Sequence, residues 1–263
     1  MMTQTRKAKS IFITGAASGM GRATALLFAS RGWFVGAFDV DVAGLETLKT
    51  EIGPDNGLLL ELDVTDQVAF EAAFDQFGSI TGGTLDLMFN NAGTAVGGFL
   101  DEMDWDDIMK VVNVNFLGVM IGIRAAMPLL KATPGALCLT TSSSSSIWGT
   151  PGISVYSATK HAVRGLTEAL SVELKRHGIR AADLLPGLID TPILSPALRA
   201  MAPPEGMWRL VPPTEVAEAA WAAYHGDKVH WYVPEGLKEF DLEATADPET
   251  VREERAALAG LIG

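Results

Sequence analysis

The sequence contains one cysteine, four histidines and few basic residues, and each shortage excludes a class of protein. Cys138 has no second cysteine to pair with, which excludes an internal disulfide, and its apolar surroundings favour a buried, inert thiol. The histidines show neither HExxH nor Cys/His spacing, so a metal site has no support. With 20 basic against 32 acidic residues, the net charge of −12 disfavours binding to nucleic-acid phosphates or anionic membranes.

Long uninterrupted apolar runs are also missing. The longest apolar region, from residue 108 to 130, is interrupted by side chains that are costly in hydrocarbon: Lys110, Asn113, Asn115 and Arg124. We therefore expect no transmembrane helix. Near the N-terminus, Arg6, Lys7 and Lys9 precede only three apolar residues, 11–13, which are too few for a signal peptide. A cytoplasmic protein is expected.

The 263 residues are 48% hydrophobic, which suits one globular domain over residues 1–263. Short apolar runs alternate with segments of helical periodicity, the pattern of a parallel sheet covered by helices on both faces. We therefore predict a doubly wound α/β (Rossmann) fold with a seven-stranded, mostly parallel sheet. No internal repeat is found.

Breakers and periodicity set the predicted boundaries. The predicted strands are 10–14, 33–38, 58–62, 85–90, 136–141, 179–185 and 229–233, and the predicted helices are 21–31, 42–52, 66–77, 105–127, 154–177, 214–226 and 248–261. Residues 188–213 contain six prolines, which predicts an irregular lid instead of a sheet element. Residues 227–263 are predicted as a last strand and a helical tail.

A glycine-rich motif, TGxxxGxG over residues 14–21, stands where the first strand turns into a helix. Glycines permit a tight turn and close approach to a pyrophosphate, which the helix N-terminus favours electrostatically. The predicted cofactor contacts here are Gly15, Ser18, Gly19, Met20 and Gly21. A glycine-rich turn without a ligand is the alternative.

Asp39 ends the second strand, where a carboxylate can accept hydrogen bonds from ribose hydroxyls and repel a 2′-phosphate. Ser18 occupies a loop position that a basic side chain would otherwise fill. NAD is therefore favoured over NADP, although Arg22 argues weakly the other way. A capping role for Asp39 is the alternative.

Residues after the third and fourth strands reach the same predicted sheet edge, along which doubly wound folds bind ligands. Asp63 with Val64 is placed to reach the adenine. Asn91 precedes two small residues, Ala92 and Gly93, which leave room for the cofactor. Each segment taken alone is an ordinary turn.

Tyr156 and Lys160 are four residues apart and share one helix face. A phenol titrates near ~10 and needs a neighbouring cation to exchange protons at neutral pH. Ser143, thirteen residues earlier at a strand end, is placed to hold a substrate oxygen, although residues 142–146 are all serines. Asn115 is a polar residue in an apolar helix, with Asn113 as the alternative. The GxSxG elbow of serine hydrolases is absent.

Together these ordered motifs, spread over residues 10–192, resemble the short-chain dehydrogenase/reductase family. The resemblance implies that Tyr156 is the general acid/base, that Lys160 binds the nicotinamide ribose and lowers the tyrosine pKa, that Ser143 orients the substrate oxygen, and that Asn115 supports a water path. It also implies cofactor contacts from Tyr156 and Lys160 and from the segment after the sixth strand: Pro186, Gly187, Ile189 and Thr191.

The implied function is reversible hydride transfer between NAD(H) and an alcohol or ketone, without a metal. Apolar residues of the lid suggest a hydrophobic substrate: Met201, Met207, Trp208 and Leu210. The alternatives are an NADPH-dependent carbonyl reductase and a non-catalytic dinucleotide-binding sensor or scaffold. The resemblance further suggests a homodimer, through helices 105–127 and 154–177, or a homotetramer. The C-terminal tail departs from the family's usual ending and puts the tetramer in doubt.

Overall fold

The computed structural model of the protein describes residues 8–260. Arg6, Lys7 and the predicted last helical residue, Leu261, lie outside them. Short buried runs of apolar residues form seven strands: β1 (Ser10–Thr14), β2 (Phe34–Asp39), β3 (Gly57–Glu61), β4 (Leu87–Asn90), β5 (Leu137–Thr141), β6 (Arg180–Pro186) and β7 (His230–Val233).

All seven strands pair in parallel in the order β3-β2-β1-β4-β5-β6-β7. The predicted doubly wound α/β fold is confirmed, and the sheet is entirely parallel. The chain order reverses between β1 and β4, and ligands of such sheets bind beside this reversal, at the carboxyl ends of the strands.

The described residues also form ten α-helices, of which the last two follow β7: α1 (Gly19–Ser30), α2 (Val42–Ile52), α3 (Gln67–Thr81), α4 (Trp105–Val112), α5 (Gly118–Lys131), α6 (Ser154–Glu173), α7 (Pro196–Met201), α8 (Pro213–His225), α9 (Leu237–Ala246) and α10 (Pro248–Leu258). A π-helical turn, Asn113–Leu117, joins α4 to α5, and 3₁₀ turns follow β5 and α6. The predicted irregular lid was wrong in one respect, because it contains α7. The tail contains two helices instead of one.

The core lies on both faces of the sheet because successive strand residues point to opposite sides. In β1, Ile11 and Ile13 join the cluster beneath α1, α2 and α8, whereas Phe12 joins the cluster beneath α3 and α5. The Phe12 ring stacks between Phe38 and Phe74, with centroid distances of 3.9 and 4.1 Å. A third cluster lies under the C-terminal tail.

Among the residues that the structure describes, one continuous helical stretch, Trp105–Lys131, is long and apolar enough to cross a membrane by length and composition. This differs from the sequence expectation. A single such stretch indicates a membrane segment only weakly, since core helices of soluble proteins pass the same test. One face of it, including Ile123, Ala126 and Leu130, is buried against the sheet and α3.

Candidate active site

The glycine-rich loop between β1 and α1 takes a path that only glycines allow. Gly15 and Gly19 have φ angles of +67° and +53°, in the left-handed region. A Cβ at Gly21 would collide with the carbonyl oxygen of Gly15 and lie 2.7 Å from Nδ2 of Asn91. The turn is therefore as tight as the backbone permits.

The N-terminus of α1 opens onto this loop. Ser18 is the N-cap residue, and within the described residues its side chain makes no capping hydrogen bond. Free amide groups and the helix dipole favour an anion at such an end. The cradle formed by residues 15–21, with Ser18 exposed and Met20 partly buried, therefore fits the pyrophosphate of a dinucleotide.

Asp39 lies beside this cradle at the carboxyl end of β2. Its Oδ2 accepts a hydrogen bond from the Ala17 amide (2.9 Å) and its Oδ1 accepts one from the Asp41 amide (3.0 Å). The carboxylate is thereby fixed in place while the side chain stays partly exposed. The guanidinium of Arg22, by contrast, pairs with Glu51 on α2 at 2.7 and 3.0 Å.

The ends of β3 and β4 lie on the same edge of the sheet. Asp63 is exposed, and its Oδ1 accepts from the amide and hydroxyl of Thr65. Val64 is buried instead. Asn91 is structural, because its Nδ2 donates to the carbonyls of Thr14 and Gly15, each at 3.1 Å.

Ala92 and Gly93 continue along this edge. A Cβ at Gly15 would lie 2.8 Å from Cα of Ala92, so the two loops are in close contact. Gly93 is exposed, and a Cβ there would lie 3.4 Å from Oδ1 of Asn115 and 3.7 Å from Nζ of Lys160. The missing side chain of Gly93 therefore leaves open space in front of these two groups.

Tyr156 lies in the first turn of α6, and the hydroxyl of Ser143, which follows β5, is close enough to the phenol to influence its pKa. The Ser143 hydroxyl oxygen accepts from the amide of Ser145 at 3.0 Å, so its own hydrogen is free to point at the phenol. The Ser143 hydroxyl acts to lower the tyrosine pKa, as a donor near the phenolate does.

Two of the neighbouring serines, Ser142 and Ser146, have other partners. The Ser142 hydroxyl lies within hydrogen-bond distance of the Lys160 carbonyl (3.1 Å) and the Ser146 hydroxyl (2.9 Å) and can donate its one proton to either, and Ser146 donates to the Ser143 carbonyl (2.6 Å). These buried bonds fold the turn after β5. They leave Ser143 as the serine that meets Tyr156, which agrees with the thirteen-residue spacing.

Lys160 is buried, and its Nζ donates to the Thr141 carbonyl at 2.7 Å and lies 5.6 Å from the Tyr156 ring centroid. Burial lowers the pKa of Lys160 to about 8. That this lysine lowers the Tyr156 pKa stays a prediction. Burial raises the tyrosine pKa, and the Ser143 hydroxyl opposes that effect.

Asn115 is fully buried in the π-helical turn between α4 and α5. Its Oδ1 accepts from the Thr94 amide at 2.8 Å, and its Nδ2 donates to the Thr94 carbonyl at 2.9 Å and to the Thr159 hydroxyl at 3.3 Å. Of the two candidate asparagines, the structure thus brings Asn115 to Thr159, the neighbour of Lys160 in α6. No motif predicts that Thr94 and Thr159 are the hydrogen-bond partners of Asn115.

The segment after β6 completes the edge. Pro186 is the last residue of β6, and Gly187 continues its pairing by donating its amide to the Val233 carbonyl at 2.8 Å. Ile189 and Thr191 are buried, and a Cβ at Gly19 would lie 2.8 Å from Cγ2 of Thr191. This segment therefore packs against the glycine-rich loop.

No group of three or more His, Cys, Asp or Glu side chains is placed to hold a metal ion within residues 8–260. The structure instead gathers a phenol, a hydroxyl and an ammonium group beside an anion cradle. This arrangement can bind a dinucleotide and exchange a proton with an oxygen placed against Tyr156 and Ser143.

Comparison with known proteins gives a family match. The model of the short chain dehydrogenase family matches residues 9–201. A similar curated protein is levodione reductase from Leifsonia aquatica, which is 34% identical over 202 residues, covering 73% of this chain and 74% of that protein.

Solved structures give the same match. A short chain dehydrogenase/reductase from Burkholderia phymatum in complex with NAD has a TM-score of 0.82 and 28% identity, covering 94% of this chain and 96% of that one. A 3-ketoacyl-(acyl-carrier-protein) reductase from Brucella melitensis with NADH has a TM-score of 0.78 and 31% identity, with 86% and 97% covered. An alcohol dehydrogenase from Thermococcus sibiricus with 5-hydroxy-NADP has a TM-score of 0.74 and 27% identity, with 86% and 94% covered.

Proposed function

Because the chain belongs to the short-chain dehydrogenase/reductase family, we propose that it is an NAD-dependent oxidoreductase that interconverts a hydrophobic alcohol and its carbonyl compound. The observation that carries the proposal is that the buried Nζ of Lys160 lies 5.6 Å from the Tyr156 ring centroid, with the Ser143 hydroxyl close enough to influence the phenol. When bound, the nicotinamide cofactor accepts or supplies hydride.

Each polar group of the site has a distinct task in this proposal. Ser143, whose oxygen is fixed by the Ser145 amide, orients the substrate oxygen against the phenol. Tyr156 takes up or gives the proton of that oxygen. Lys160 holds the nicotinamide ribose, and Asn115, bonded to Thr94 and Thr159, fixes the backbone around it.

Because the pKa of Tyr156 is raised, the rates of oxidation and reduction should depend on pH in opposite ways. A protonated phenol is an acid and suits carbonyl reduction, whereas alcohol oxidation needs the phenolate. We therefore expect the rate of oxidation to increase with pH and the rate of reduction to decrease.

Two side chains support NAD over NADP. The Asp39 carboxylate, held by two backbone amides, is suited to the ribose hydroxyls and repels a 2′-phosphate. Arg22, the residue that argued for NADP, is neutralised by Glu51 and turned toward α2. The cofactor contacts that we propose are Gly15, Ser18, Gly19, Met20, Gly21, Asp39, Asp63, Val64, Asn91, Ala92, Gly93, Tyr156, Lys160, Pro186, Gly187, Ile189 and Thr191.

The side chains of the lid favour the proposal of an apolar substrate. Its exposed side chains include Ile193, Leu198 and Met201, of which Met201 is 75% exposed. Apolar groups that remain in water are candidates for contact with an apolar ligand.

A panel of alcohols and ketones with NAD(H) and NADP(H), followed at the nicotinamide absorbance, tests the reaction and separates it from the NADPH-dependent reductase. The decisive variant is Tyr156→Phe, which we expect to lower kcat by about 100-fold or more because general acid–base catalysis contributes ~10²–10⁴-fold. Tyr224→Phe is the matched control, since its hydroxyl bonds Asp86 ahead of β4, away from the catalytic edge. Unchanged turnover in Tyr156→Phe with intact NAD binding refutes the catalytic role and favours a sensor or scaffold.

We also propose a homodimer formed through α4, α5 and α6. Apolar side chains on these helices are exposed in the single chain, with Trp105 at 70% and Val172 at 69%. Light scattering is expected to give twice the 27.9 kDa chain mass, and Val172→Glu to give monomers. A monomeric parent protein would contradict this proposal, and a tetramer would extend it.

A further inference from the structure

The family match ends at residue 201, before the second half of the lid and the C-terminal tail, here defined as α9 and α10. The third core cluster lies between these parts. It joins Ile147 after β5 and Leu185 of β6 to four tail residues: Leu237, Phe240, Ala244 and Val251. The tail thus completes a core beside the catalytic edge and does not extend into solvent.

The base of the tail is fixed to the helix that carries Tyr156 and Lys160. Arg164 of α6 makes a two-pronged ion pair with Asp241 of α9, at 2.7 and 3.1 Å. The Tyr232 hydroxyl donates to the same carboxylate at 2.6 Å, and Arg164 also donates to the Ser146 carbonyl at 3.4 Å. The position of α9 is therefore set by the catalytic helix and the serine turn.

The start of α9 packs against the segment after β6, which contains the proposed cofactor contacts Gly187 and Ile189. A Cβ at Gly187 would lie 3.3 Å from Cδ1 of Leu237 and 3.6 Å from the carbonyl oxygen of Met207. The segment after β6, the lid and the tail therefore meet at one point. A shift of the tail would be felt by both other segments.

Farther along the chain, side chains of the tail contact the lid through aromatic rings. The Trp208 ring meets Phe240 edge to face, with centroids 5.3 Å apart. The Arg255 guanidinium of α10 lies 4.7 Å from the Trp208 centroid and 4.9 Å from that of Phe240. Arg255 is half-buried, which lowers the pKa of its guanidinium, and cation–π attraction strengthens when the cation is partly removed from water.

We propose that Arg255 is a positioning residue, which holds Trp208 and thereby the second half of the lid in place. The distance of the lid from Tyr156 and Ser143 then sets the size of the substrate that the site admits. The ligand class is the apolar alcohol of the proposed function, on which this inference rests. Loss of the guanidinium frees the lid without touching the reacting groups.

Limited trypsin digestion tests the hold on the lid without any need for turnover. Arg209 is the cleavage site in the second half of the lid, Arg199 in α7 reports on the first half, and Lys49 in α2 reports general unfolding. Arg255→Gln is expected to speed lid cleavage by about 3- to 30-fold, the effect of losing a desolvated cation–π contact, with cleavage at Lys49 unchanged. Arg252→Gln is the matched control, because Arg252 lies on the same helix, is 67% exposed and pairs with Glu253. Arg255→Lys, which keeps a cation, is expected to restore much of the protection.

The second measurement compares KM and kcat for small and large apolar alcohols. Arg255→Gln is expected to change the ratio of KM values for large and small substrates by about 3-fold or more, while KM for NAD and kcat stay within 2-fold. Lid cleavage equal to that of the parent and of Arg252→Gln overturns the hold on the lid. Faster cleavage with an unchanged KM ratio overturns the role in substrate size. If the parent turns over no alcohol, the proposed function fails, while the digestion still decides the mechanical part.

Discussion

Replacing Lys160 by methionine should stabilise the protein relative to the parent, and this stabilisation should be larger near neutral pH than at alkaline pH. The ammonium is buried, and its pKa falls from the ordinary 10.5 to about 8 in the folded chain. Since one pKa unit corresponds to ~1.4 kcal/mol, keeping this group charged in the folded state costs about 3 kcal/mol at pH 7.

The sign follows from proton linkage. Between pH 8 and 10.5 the unfolded chain binds the lysine proton more tightly than the folded chain, so the stability of the parent rises with pH across that window. Below pH 8 the full cost is present. Lys160→Met has no such group, and the parent should therefore gain about 2 kcal/mol relative to the variant between pH 7 and 9.5.

Urea unfolding of both proteins at several pH values measures this difference. The variant also loses the hydrogen bond to the Thr141 carbonyl, worth ~1.5–3 kcal/mol, which offsets part of its advantage at every pH. The slope with pH is therefore the diagnostic quantity. Lys175→Met, at an exposed site, controls for the loss of one charge. A free-energy difference between parent and Lys160→Met that is independent of pH would refute the reasoning.

Two further predictions concern Asp39 and the partner of Asp183, His230. Asp39→Asn should lower kcat/KM with NAD by about 10- to 100-fold and raise it with NADP, because charge-assisted bonds worth ~1.5–3 kcal/mol are lost together with the repulsion; a cofactor preference that stays the same would contradict it. His230→Ala should cost about 3–5 kcal/mol in urea unfolding, because it strips the fully buried Asp183 of its 2.7 Å partner. The contribution of His230 should be fully present below pH 6.5 and disappear as pH rises through its raised pKa, and a loss that is constant from pH 5 to 9 would exclude this coupling.

The sequence predicted those elements whose ends carry local signals. The bounds of α2 were predicted to the residue, because Asp41 caps its first turn and Gly53 ends it. Asp66 likewise marks the start of α3, accepting from the amides of Val68 and Ala69. The ends of strands were less certain, since pairing with a neighbour decides where a strand stops.

Two helices escaped prediction for different reasons. Prolines suggested an irregular lid, yet Pro196 begins α7 at a position where its missing amide costs nothing, and Ser195 caps the helix by accepting from Leu198. The short α9 has little helical signal of its own. Its stability comes from burying Leu237 and Phe240 in the third core cluster, a contact that local sequence does not reveal.

The candidate site divides in the same way. The spacing of Tyr156, Lys160 and Ser143 predicted that they share one site, because a helix turn and a strand end have fixed geometry. The hydrogen bonds of Asn115 with Thr94 and Thr159 depend on tertiary contact and carry no motif. The direction of the Tyr156 pKa likewise depends on burial, which sequence leaves undefined.

The strand order also bears on how the chain matures as it leaves the ribosome. From β4 onward every strand pairs with one already made, since β4 joins β1, β5 joins β4, β6 joins β5 and β7 joins β6. The sheet can thus be assembled in the order of synthesis, with no strand waiting for a later one. The lid is made before α10, so it meets Arg255 only after α10 has been synthesised. A nascent chain that has reached β7 therefore holds all seven strands of the sheet, but its lid still lacks the contact with Arg255.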